Sequence, residues 1–63
     1  MSKQSYTGVK VGDTIRIIRL DDPRSADYEG RTGEVTVIDD AGQLHGTWGG
    51  LAVIPEADDF EVI

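Results

Sequence analysis

Apolar and polar residues alternate with a period of two along much of this chain, and that period, not the roughly 3.6 of an amphipathic helix, governs the expected structure. In Thr14-Ile-Arg-Ile-Ile-Arg-Leu20, Ile15 and Ile17 fall on one face with Arg16 between them, and the β-branched content favours a strand. Gly12-Asp13 reads as the turn before it. Asp21-Asp22-Pro23 ends it, since proline cannot donate to a ladder, and Asp21 to Gly30 forms a loop of turn-forming and charged residues.

Gly33 to Ile38 alternates again, with Val35 and Val37 expected on one face and Glu34 and Thr36 on the other. Asp39-Asp40-Ala41-Gly42 is an acidic turn with a glycine available for positive φ, and Gln43 to Trp48 returns as the partner of a hairpin, Leu44 and Trp48 sharing its inner face. Gly49-Gly50 signals a second tight turn before Leu51-Ala-Val-Ile54, a short apolar strand bounded by Pro55. Pro55 to Asp59 suits a single helical or 3₁₀ turn, and Phe60 to Ile63 closes as a fifth strand. The expectation is all-β: a five-stranded SH3-like small barrel over residues 9–63, with a long first loop, one 3₁₀ turn before the last strand, and a flexible arm at residues 1–8.

Size and charge narrow the functional classes. Sixty-three residues allow one small core, and with no cysteine there is neither a disulfide nor a thiolate metal site, which makes a cytoplasmic setting the default. Met1 to Gly8 is polar and unlike a signal peptide, and no apolar run approaches a membrane span. All six basic residues lie in residues 1–31 against five acids, a net of +1, while residues 32–63 hold seven acids and no base, a net of −7. A chain of net charge −6 meets a repulsive cost at nucleic acid, which binds through released counterions and basic side chains.

Gly12-Asp13 before an Ile/Arg-rich strand, followed by Gly30, Gly33 and Val35-x-Val37, resembles the KOW and SH3-like barrels of transcription and ribosome-associated proteins. A longer set resembles a bacterial and phage family, the domain of unknown function DUF4314, from Gly12 to Ile63. It comprises Gly12-Asp13, Asp22-Pro23, Gly30, Gly33, Ile38-Asp-Asp-Ala-Gly-Gln-Leu-His45, Trp48, Gly50, Ile54-Pro55, Asp59-Phe60-Glu61 and Ile63. Three departures stand out: Gly46 where a branched apolar residue is usual, Gly49 in a turn that is often acidic, and Ala26 to Glu29 in place of a proline-rich loop end. Gly46 weakens its strand unless a neighbour such as Trp48 fills the space. The resemblance implies a fold and a phage or mobile-element setting, and a shared fold transfers no function.

Two candidate surfaces emerge. Tyr28, Trp48 and Pro55 form an aromatic groove for an extended peptide in one reading, with Asp21, Asp22, Asp27 and Glu29 pairing with a basic flank; in the competing reading Trp48 is core. Arg16, Arg19, Arg24 and Arg31, with Tyr6 or Tyr28 stacking on a base, make the nucleic-acid alternative, against which Arg16 and Arg19 pair across the sheet with acids such as Glu34 or Glu61. A third reading has Glu34, Asp39, Asp40, Glu56, Asp58, Asp59 and Glu61 mimic a phosphate track. His45 is the sole histidine and reads as a cross-strand polar residue, and Asp39-Asp40 with Gly42 lacks the alternating acids of a calcium loop. The expectation is therefore a non-enzymatic module for a protein or peptide partner, with a KOW-like nucleic-acid-binding accessory domain as the alternative. No catalytic residue, metal, cofactor or membrane is expected, and the chain is a monomer or weak homo-oligomer.

Overall fold

A computed structural model describes residues 8–63; Lys3, Tyr6 and all of the expected arm except Gly8 lie outside the described residues. The chain runs through β1 (Thr14–Arg19), a one-turn helix α1 (Ser25–Tyr28), β2 (Thr32–Ile38), β3 (Leu44–Gly46), β4 (Gly49–Val53) and β5 (Asp59–Val62). All pairings are antiparallel, and the five strands form one sheet in the order β4-β3-β2-β1-β5. The all-β expectation and its five strands hold.

β2 organises the sheet by serving two neighbours in succession. Thr32 to Glu34 pair with β1, and Val35 to Ile38 pair with β3. At the changeover the Lys10 to Asp13 turn docks on β2: Gly12 N–H donates to the Val35 carbonyl at 2.8 Å and Val35 N–H to the Asp13 carbonyl at 2.9 Å. Gly12 sits at φ +99°, a conformation that favours glycine.

The structure departs from the alternation pattern within β2. Val35 is fully buried, whereas Val37 is 52% exposed. Val35 pairs with Gly46 and Val37 with His45, so one more residue separates the two on β2 than on β3. That bulge turns Val37 to the outside.

The sheet also stays open, so the small barrel expected, closed or partly open, is not a closed one. Among the described residues no ladder joins β4 to β5. The reason is local: beyond Val53 the Ile54 N–H is taken by the buried Asp58 carboxylate at 2.7 Å, and the Ile54 carbonyl accepts Ala57 and Asp58 N–H in a turn. That turn occupies Pro55 to Ala57, where a 3₁₀ turn is expected.

The expected first loop holds α1. Ser25 N–H donates to the Asp22 carbonyl and Glu29 N–H to the Ser25 carbonyl, while Ser25 Oγ accepts Leu20 N–H and donates to Glu29. Gly30, at φ +87°, donates its N–H to the Ile17 carbonyl and returns the chain to the sheet.

The core comprises Val9, Ile15, Ile17, Leu20, Val35, Leu44, Trp48, Val53 and Phe60. Each large aliphatic or aromatic side chain contributes about 1.5–3 kcal/mol by burial, an upper bound because unfolded chains are partly compact. Trp48 lies in the β3–β4 turn, 3% exposed, and packs on two glycines. A Cβ at Gly46 would stand 2.3 Å from Trp48 Cζ3, and one at Gly33 3.0 Å from Trp48 Cε3. The indole therefore fills the space that a branched residue at position 46 would take.

Candidate functional site

The residues expected to form an aromatic groove do not form one. Trp48 is core, and its indole N–H donates to the Leu51 carbonyl at 2.7 Å, so its ring is not a contact surface. Tyr28 ends α1 half-buried, with the Arg31 guanidinium 4.4 Å from its ring centre. Arg31 also donates to the Trp48 carbonyl at 2.7 Å, which locks the stack over the β3–β4 turn. Pro55 opens the turn after β4, half-buried. Asp27 and Glu29 are exposed, and the Glu29 carboxylate accepts the Ser25 hydroxyl.

The β1 arginines are engaged on the outer face of the sheet. Arg16 pairs with Glu61, directly opposite on β5, and Arg19 with Asp59 at 3.6 Å. Such exposed pairs contribute about 0–1 kcal/mol each, and they neutralise the charge that a phosphate would need. Arg24 is exposed, its backbone N–H donating to Asp22 Oδ1 at 2.7 Å. The acid track is likewise broken up, because Asp58 is 3% exposed while Asp59 and Glu61 face these arginines.

In the β2–β3 turn, Asp39 Oδ1 accepts Ala41 and Gln43 N–H at 3.0 and 2.9 Å, and Oδ2 lies 2.9 Å from His45 Nε2. The His45 hydrogen bond first, then that from Gln43, holds the Asp39 carboxyl below its usual range. His45 is thus a turn partner on the adjoining strand. Among the described residues no group of three or more histidine, aspartate or glutamate side chains is placed to hold a metal ion, and no helix is long and apolar enough to cross a membrane.

A different feature has the form of a binding site. A cleft of about 180 Å³ opens between the end of β1 and β4, with Leu20, Leu51, Ala52 and Ile54 supplying its apolar lining. Asp21 and Asp22 stand at its edge beside Gln43. Its two walls are tied to one carboxylate: Asp58 Oδ1 accepts Asp21 N–H and Oδ2 accepts Ile54 N–H, both at 2.7 Å. Two acids expected to face a ligand, Asp21 and Asp22, are therefore here, without the aromatic residues expected beside them. The apolar lining has a sequence signal in Leu51-Ala-Val-Ile54, which is apolar on both faces: Val53 is buried, and Ala52 and Ile54 are half-buried toward the cleft.

A family model described as "Domain of unknown function (DUF4314)" matches residues 3–63. No curated protein and no solved structure matches the chain.

Proposed function

The chain belongs to the DUF4314 family, whose description assigns no role, and from the geometry we infer that it is a non-enzymatic interaction module whose first-loop side binds a protein or peptide partner. In this reading the open sheet is an SH3-like arrangement, the setting is cytoplasmic and of phage or mobile-element type, and the module acts by occupying a partner. The observation that carries it is the cleft between Leu20–Asp22 and β4, with its aliphatic lining and acidic edge. Its volume of about 180 Å³ falls below the roughly 300–1,000 Å³ of small-molecule sites, which suits one or two side chains of a larger partner. The nucleic-acid alternative draws less support, because Arg16 and Arg19 already face Glu61 and Asp59.

Selection of a random peptide library on the immobilised domain, followed by amide-shift mapping of the enriched peptides, tests the reading. Shifts at residues 20–22 and 51–54 are expected. Failure to enrich any peptide, or micromolar DNA or RNA binding mapped to Arg16, Arg19, Arg24 and Arg31, overturns it.

A further inference from the structure

We propose that the cleft takes a branched aliphatic side chain flanked by lysine or arginine, so that the partner is a basic segment with an apolar anchor. This rests on the interaction-module reading and specifies its ligand. The lining selects the anchor: Leu20, Leu51, Ala52 and Ile54 are aliphatic, no aromatic ring faces the space, and the volume of about 180 Å³ accommodates a leucine or isoleucine side chain.

The edge selects the flank. Asp21 and Asp22 line the cleft and no basic residue does. Among the described residues neither carboxylate is in an ion pair; Asp22 Oδ1 accepts only a backbone N–H, from Arg24. Four other acids are committed: Asp58 to two backbone donors, Asp59 and Glu61 to arginines, Asp39 to its own turn. A cationic partner gains where these two acids stand beside apolar surface. A second copy of this chain is a poor occupant, since each copy carries a net charge of −6 and the association is repulsive.

The test uses three acetylated and amidated heptapeptides: Gly-Ser-Lys-Leu-Lys-Ser-Gly, the same with glutamate for both lysines, and the same with serine for leucine. The first is expected to shift the amides of residues 20–22 and 51–54, and to bind about threefold or more weakly to the double variant Asp21→Asn/Asp22→Asn, in which the side-chain amide oxygen at position 22 still accepts the Arg24 N–H. Added salt weakens it similarly, and the serine peptide does not bind. Ala52→Leu, which fills the cleft, abolishes the shifts while thermal unfolding shows the variant folded. Equal binding of the glutamate peptide overturns the charge assignment, and equal binding of the serine peptide overturns the anchor; both leave the interaction-module reading intact. Absence of binding by all three overturns the proposal, while peptide-library selection decides the broader reading independently.

Discussion

Asp58 is the residue whose removal tests the architecture of the cleft most directly. It is the one buried charged side chain among the described residues, 3% exposed, and its two oxygens each accept a backbone N–H at 2.7 Å, one from either wall. Asp58→Asn keeps the shape but replaces one acceptor by an NH₂ donor, so one buried N–H loses its partner. A hydrogen bond to a charged group contributes about 1.5–3 kcal/mol, and an orphaned buried donor costs about 1–3 kcal/mol. Relief from burying the carboxylate offsets part of this, which leaves an expected loss of about 2 kcal/mol for Asp58→Asn and about 3–4 kcal/mol for Asp58→Ala. A domain of 63 residues has about 3–9 kcal/mol in total, so Asp58→Ala removes a large fraction of it. Urea unfolding followed by Trp48 fluorescence gives the equilibrium value, and amide exchange locates it, with the Asp21 and Ile54 amides losing protection first in Asp58→Asn. A loss below about 0.5 kcal/mol, the range of ordinary surface changes, or unchanged exchange at those two amides, would refute the clamp. Asp27→Asn, at an exposed position, is the control.

Gly46→Ala places a Cβ 2.2 Å from the Glu34 carbonyl and 2.3 Å from Trp48 Cζ3; the overpacking is expected to cost about 3 kcal/mol or more in urea melts, and Trp48→Ala is expected not to rescue it, because the backbone clash remains. The Asp39 carboxyl is held below its usual range by His45 and Gln43, so its contribution to the β2–β3 turn is complete above the ordinary aspartate value and is lost as pH falls through the lowered folded value. Amide shifts of Ala41 and Gln43 should therefore titrate below the usual aspartate midpoint and go flat in Asp39→Asn; a midpoint at or above the usual one contradicts the assignment.

The strands were legible because each is a short set of alternating residues with turn formers on either side. Ile15, Ile17, Val35 and Leu44 carry that signal and are buried. Val37 was not legible, since a bulge depends on how two strands count against each other and neither strand states it alone. Helix α1 escaped for another reason: four residues are too few for a 3.6-residue period, and α1 is held by loop hydrogen bonds of Asp22, Ser25 and Glu29. At the site, Asp21 and Asp22 could be read as acids of an exposed loop. The apolar lining comes from Leu20, just past β1, and from residues 51–54 in and just past β4, far apart in sequence, and the group that joins them, Asp58, looks in sequence like one more acid in a charged stretch. By its type Trp48 fits either core or surface, and its contact with Gly46 shows it to be core.

The β2 bulge bears on how this family can change length. Loss of one residue between Val35 and Val37 would leave a regular ladder with Val37 still opposite His45 and still outside, whereas a one-residue gain or loss elsewhere in β2 would slip its pairing by one position and turn its side chains to the other face. Residues 21–30 face no such parity, because no strand pairing crosses that stretch. Insertions and deletions should accordingly accumulate in the segment that carries the cleft's acidic edge, so related chains can diversify what they grip while the spacing of β2 outside its bulge stays fixed.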